Sequence, residues 1–173
     1  MRSVQRALCT LGLMVAVTTA LAAQAFPETG VKAAFLLRFV EYVEWPAAPQ
    51  GPFVIAVLGR DGVAEHLRTL GGRALDGRPV EIRAVTSPTG ARGAQVLYVA
   101  RGNRGDLRAL QRSEPLHGTL VICDEEDGLE RGGIINFRTV QGRVRFEVSL
   151  QGARRADLRV SADLLSVALR VIQ

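Results

Sequence analysis

Four short apolar runs, separated by stretches of helical spacing, constrain this chain more than any other feature. Phe53–Leu58, bounded by Pro52 and Gly59, is wholly apolar. Ala94–Ala100 and Thr119–Asp124 are nearly so, the latter around Leu120-Val121-Ile122-Cys123. Val80–Val85 is the weakest of the four, carried by Val80, Ile82 and Val85. Short runs without strict alternation suit strands buried on both faces. Between them, Val63–Leu70, stopped by Gly71-Gly72, and Arg104–Arg112 have the spacing of helices. Strands alternating with helices predict right-handed βαβ units and a largely parallel sheet.

The flanks of this pattern differ from its middle. Gly30–Trp45 reads as one helix that is apolar nearly all round, with Arg38, Glu41 and Glu44 on its only polar face and Pro46 ending it. Such a helix is buried, either in its own core or against something else. Gly133–Thr139 and Arg143–Leu150, joined through Val140-Gln141-Gly142, alternate as an antiparallel hairpin with one packed face. Ser161 is a suitable N-cap for a last helix running through Leu164, Leu165 and on to Ile172, with Asp163 and Arg170 matching its dipole. A chain of 173 residues, 47% of them hydrophobic, suffices for one domain and excludes disorder. The expected fold is therefore a single α/β domain, a largely parallel sheet flanked by helices, with a late antiparallel β-hairpin and a C-terminal helix.

The N-terminus reads as an export leader. Arg2 and Arg6 precede an uncharged run through Leu8, Leu11, Leu13, Met14, Val15 and Val17, which gives way to Ala23-Gln24-Ala25. A basic start, a short apolar centre and an A-x-A exit describe a cleaved signal peptide over residues 1–25, leaving an exported domain over 26–173. An uncleaved anchor, the rival reading, wants about 20 strongly apolar residues, and Thr10, Thr18, Thr19 and Gln24 dilute this run. Cleavage removes Cys9, so Cys123 is left without a partner in an oxidising compartment and reads as a buried small hydrophobe.

Charge and motifs exclude more than they assign. The formal charge is +5, but the arginines are scattered, not clustered, and Lys32 is the single lysine, so no nucleic-acid footprint is expected. His66 and His117 stand apart with no ligand set around them, so no metal and no cofactor is expected. A Cys123–His117 nucleophile pair is conceivable across one strand, with a packed cysteine and a loop histidine as the simpler reading. Neither a G-x-S-x-G elbow nor a Walker-type loop occurs, and no catalytic residue is assigned. Open α/β sheets place ligands outside the carboxyl ends of their strands. There the sequence has Arg60, then Arg101 and Arg104, then Asp124 at the head of an acidic run. These four are the candidate pocket residues, and solvated loop polarity is the plainer alternative. Arg38, Glu41 and the lone Trp45 are the candidate partner contacts.

Lys32-Ala33-Ala34-Phe35-Leu36-Leu37-Arg38-Phe39, leading to Glu44-Trp45-Pro46, resembles the opening signature of the YfiR family, DUF4154. Further matches follow in order: Phe53–Gly59, Leu75–Val80, Gly132–Phe137, Val144–Val148 and Leu158–Leu165. The resemblance covers roughly Gly30–Ile172. It implies a periplasmic protein without catalysis that binds the periplasmic domain of an inner-membrane diguanylate cyclase and holds it inactive, keeping cyclic-di-GMP and biofilm matrix low. It also implies an OmpA-like outer-membrane lipoprotein that sequesters the repressor. A second copy of the chain is kept as a further partner. Two departures bear on this. The paired cysteines common in the family are missing, Gly93-Ala94-Gln95 standing where one is expected, and Ser149 replaces a common asparagine. The alternative function is a periplasmic small-ligand module feeding a sensor kinase or transporter.

Overall fold

The apolar runs pair side by side. A computed structural model describes residues 27–46, 50–71, 74–75, 77–112 and 116–173, so the expected leader lies outside the described residues. Strands β2 (Phe53–Leu58), β4 (Val96–Val99) and β5 (Leu120–Cys123) are buried along their whole length. They form the centre of a seven-stranded sheet of order β3-β2-β4-β5-β6-β7-β9. Strand β3 (Val80–Val85), the least apolar of the four runs, takes the edge. All neighbours run parallel except β6 (Ile135–Val140) and β7 (Arg143–Ser149), which are antiparallel. This is the mixed α/β sheet that the sequence pattern predicts.

Helices α2 (Val63–Leu70) and α3 (Arg104–Arg112) occupy the expected spans. The β6–β7 hairpin turns on Gln141 and Gly142, both with positive φ (50° and 70°), as a two-residue turn matching strand twist requires. The first helix is shorter than its apolar run suggests. Helix α1 spans Glu28–Phe39, a 3-10 turn follows over Val40–Tyr42, and Val43–Glu44 is already extended as β1. Pro46 is not what ends it. The chain leaves the helix because β1 pairs with β8 (Arg159–Val160), and Ser161 donates its amide to the Tyr42 carbonyl. The apolar character of α1 is spent inside the domain. Ala33, Leu36 and Phe39 are fully buried, and Phe35 and Phe39 pack against Phe137 and Phe146, mostly tilted or edge-on, at centroid distances of 4.9–6.2 Å.

The C-terminal helix is present, capped by the Ser161 hydroxyl, but as α5 it covers only Ala162–Val167. The expected extension through Ile172 is corrected: Arg170–Ile172 is β9, parallel to β7. Val171 and Ile172 are β-branched and favour a strand, and Arg170 is drawn to Glu147 of β7. One helix has no counterpart in the sequence reading. Helix α4 (Leu150–Arg155) follows β7 directly, with the Ser149 hydroxyl accepting from the Gly152 amide. Among the described residues no helix is long and apolar enough to cross a membrane.

Candidate functional site

The direction of strand succession reverses between β2 and β4, and the switch point is where such sheets leave a crevice. Here the close approach is taken by Asn103. Its amide donates to the Ala100 carbonyl at 2.8 Å and lies 2.4 Å from where a Cβ on Gly59 would stand. Gly59 also has φ +98°, so both space and backbone call for glycine. Polar chemistry gathers one position along, beyond β4 and β5.

That cluster is built on Lys32 and Asp124. Lys32 lies on the buried stripe of α1 with Ala33, Leu36 and Phe39, and its side chain is 5% exposed. Its Nζ donates to Asp124 Oδ2 at 2.7 Å and also to Glu28, one turn back. The other oxygen of Asp124 accepts from Arg101 at 2.9 Å. Glu125, equally buried, accepts from the Gly102 amide at 2.5 Å and from Arg104 Nε at 2.9 Å. Buried charges persist only when paired and hydrogen-bonded. The Lys32 ammonium holds the Glu28 carboxyl below its ordinary range, while Asp124 and Glu125 raise Arg101 and Arg104 above theirs.

The loop after β5 is shaped to present these carboxylates. Asn136, fully buried on β6, donates to the Glu125 carbonyl at 2.8 Å and accepts the Glu125 amide at 3.1 Å. Cys123 donates its thiol to the Asn136 side-chain oxygen at 3.3 Å. Burial pushes that thiol well above its usual titration range, so it is inert, and His117 pairs elsewhere, with Asp157 at 2.9 Å. The Cys123–His117 pair therefore does not form. A Cβ on Gly128 or Gly133 would lie 2.4 Å from the Cys123 sulfur, so only glycine lets the loop close so tightly.

An open crevice of about 360 Å³ runs past this cluster, rimmed by Arg101, Arg104, Glu126, Phe137, Arg138 and Thr139. Three of the four candidate pocket residues, Arg101, Arg104 and Asp124, line it. Arg60 does not, and is exposed after β2. Lys32, the residue that joins α1 to the cluster, went unnoticed in the sequence. Its one signal was being the only lysine beside 21 arginines, and a compact ammonium suits the space between Glu28 and Asp124. Among the described residues no His, Cys, Asp and Glu group is arranged to hold a metal.

The candidate partner contacts separate into two places. Arg38 pairs with Glu41 at 2.5 Å and lies over the Tyr42 ring, and both line a groove of about 390 Å³ between α1 and the end of α2. Ala34, Leu37, Leu70 and Leu75 make that groove's apolar wall. Trp45 is half-buried, edge-on to Phe53 at 5.6 Å, and lines a separate cavity of about 580 Å³ with Arg154, Asp157 and Arg159.

Fold and site together define a single-domain α/β protein whose open strand-end crevice is lined by internally paired charges. The chain belongs to the YfiR/HmsC-like family, DUF4154, whose model matches residues 29–169. Among solved structures, the crystal structure of a conserved domain protein from Vibrio cholerae O1 biovar El Tor str. N16961 shares the fold, with a TM-score of 0.55 at 12% identity. The alignment covers 83% of this chain but only 60% of that one. No curated protein matches the chain.

Proposed function

We propose that this protein is a periplasmic, non-catalytic regulator that binds the periplasmic domain of an inner-membrane diguanylate cyclase and represses it. Cyclic-di-GMP, and with it biofilm matrix, is then held low. The observation that carries the reading is the family match over residues 29–169. The leader ending at Ala25 delivers the domain to the compartment, and an OmpA-like outer-membrane lipoprotein competes for it. A repressor of this kind works by preferring the cyclase's inactive state, and its effect is bounded by that preference. The contact face is the α1–α2 groove, with an apolar wall for burial and the Arg38–Glu41 pair at its rim for orientation. Trp45 adds a second contact. Affinity purification from detergent-solubilised membranes tests this. Wild-type protein is expected to retain a membrane-bound cyclase, and R38E/E41R to retain much less. Equal retention by both removes the groove from the reading, and capture of no cyclase by either removes the reading itself.

One observation favours a second reading. Arg101, Arg104 and Arg138 rim the strand-end crevice, and a small anion there could compete with Asp124 and Glu125 for the first two. The protein would then be a ligand module feeding a sensor kinase or transporter. Thermal shifts against anions, nucleotides and aromatic metabolites decide it, since a ligand several-fold above its Kd stabilises by about 1 kcal/mol or more.

A further inference from the structure

The ion pairs that tie the crevice together stop short of the β6–β7 hairpin tip. Arg138 and Arg145 stand directly opposite one another across the hairpin, and Arg143, two residues from Arg145, stands opposite Val140. Opposed and alternate residues of an antiparallel pair share a face, so the three arginines lie on one side of the tip. Like charges placed this way repel. Neither of the opposed pair is relieved by a carboxylate: Arg138 donates to the Glu126 carbonyl at 2.9 Å, and Arg145 to the Val167 carbonyl at 3.5 Å. Arg143 is exposed, and Glu147, further along β7, pairs with Arg170. Aliphatic side chains gather at the same end of the sheet. Val140, Val167 and Leu169 are 39%, 57% and 43% exposed, three of the four exposed large hydrophobics among the described residues. Backbone contacts hold them together: Val140 faces Arg143, the Val167 carbonyl meets Arg145, and the Leu169 amide donates to the Phe146 carbonyl at 2.8 Å.

We propose that this end of the molecule docks reversibly on an anionic lipid surface, with Val140, Val167 and Leu169 entering the acyl boundary and Arg138, Arg143 and Arg145 meeting headgroup phosphates. The mixture of side chains decides the partner's chemistry. No aromatic ring is exposed there for a sugar or a base to stack on. Arg138 turns toward Glu126 and Arg145 toward Val167, so their guanidinium groups do not converge on one small anion. A bilayer supplies many phosphates at the rim of an apolar layer, and its lipids adapt to the spacing of the cations. Arginine suits such a boundary, because its stem lies along apolar surface while the guanidinium stays in water. Interfacial binding adds buried apolar area to attraction for anionic lipid, and each arginine near the surface multiplies partitioning about fivefold. Three arginines and three aliphatic side chains give a weak, salt-sensitive attachment. The contact uses none of Arg38, Glu41 and Trp45, so it stands apart from the cyclase reading.

Co-sedimentation of the purified protein with vesicles tests the inference, with phosphatidylethanolamine–phosphatidylglycerol vesicles set against phosphatidylcholine alone. Binding to the anionic vesicles is expected, falling as salt is raised, with little binding to the neutral ones. R143Q/R145Q is expected to lower the partition coefficient about twentyfold. V140S/V167S leaves the charge unchanged and is expected to lower it severalfold through lost apolar contact. All four side chains are exposed, so far-UV circular dichroism of both variants should match the wild type. Both keep the same N-terminus, so the leader contributes equally to every sample. Inorganic phosphate at matched ionic strength should not displace the protein. Equal binding to neutral vesicles, or indifference to either variant, overturns the proposal. So does displacement by inorganic phosphate, which assigns the arginines to a free anion, or binding to poly-glutamate and not to anionic vesicles, which assigns them to an acidic polypeptide.

Discussion

Lys32 shows how much one residue can carry. Asp124 is held from two sides, by a buried ammonium and by an Arg101 guanidinium whose side chain is 62% exposed. Removing one partner of a buried pair costs about 3–5 kcal/mol, whereas an exposed pair contributes roughly 0–1 kcal/mol. Lys32→Met is therefore expected to lower unfolding free energy by about 3 kcal/mol and Arg101→Ala by less than about 1 kcal/mol, measured by urea denaturation. K32M/D124N should recover most of the loss, because no buried charge is then left unpaired. Near-additive losses would show that the pair is not the source. Arg101, Arg104 and Asp124 were legible in the sequence because strand ends place polar loops together. Lys32 was not, because the apolar residues around it read as an uninterrupted buried helix. A second residue sets the response to acid. The Arg131 guanidinium holds the Asp127 carboxyl down at about 2, against an ordinary 3.8. The unfolded chain takes up this proton first, so stability present above about 3.8 is lost as pH falls toward about 2. Glu28, lowered by Lys32, acts in the same direction. Asp127→Asn is expected to flatten the fall of the urea midpoint across that window, and an unchanged slope would remove Asp127 from the account.

At the scale of elements, the loop between β5 and β6 is fixed by close approach as much as by hydrogen bonds. A methyl on Gly133 would meet both the Cys123 sulfur at 2.4 Å and the Gly128 carbonyl oxygen at 2.9 Å. Gly133→Ala is expected to cost about 1–3 kcal/mol, the usual range for overpacking. Cys123→Ala in the same chain should return part of it, since the sulfur contact is then gone, and the two changes should be measurably non-additive. Fully additive unfolding energies would contradict the contact. Helix α4 explains the departure at Ser149. The hydroxyl caps α4 at Gly152, and asparagine, common there in the family by resemblance, is an equally good N-cap. Ser149→Asn is expected to leave stability within a few tenths of a kcal/mol, and Ser149→Ala to cost about 1 kcal/mol, read from thermal unfolding. The elements that sequence patterning located, β2, β4, β5, α2, α3 and the hairpin, carry their own apolar period or turn chemistry. Those it missed or overran are set by partners distant in sequence. Val43 becomes a strand because Val160 is opposite it, and Arg170–Ile172 because β7 has a free side.

For the whole molecule, the balance of charge in the crevice matters more than its size. Every cation that reaches the buried carboxylates is already matched, so α1, the β4–α3 turn and the loop after β5 are tied together as one body. A protein so organised offers a stable surface, which suits the proposed repression by docking. The apolar first helix, which the sequence left free to bury in its own core or against something else, packs in the core. That Arg38 and Glu41 line one cavity and Trp45 another was not legible in the sequence, because the three stand close together there. The most direct measurement is intracellular cyclic-di-GMP in a strain lacking this protein but keeping its inner-membrane cyclase. The expected result is a rise, reversed by the wild-type gene and not by one lacking the leader. Cyclic-di-GMP at the wild-type level in that deletion strain would contradict the account.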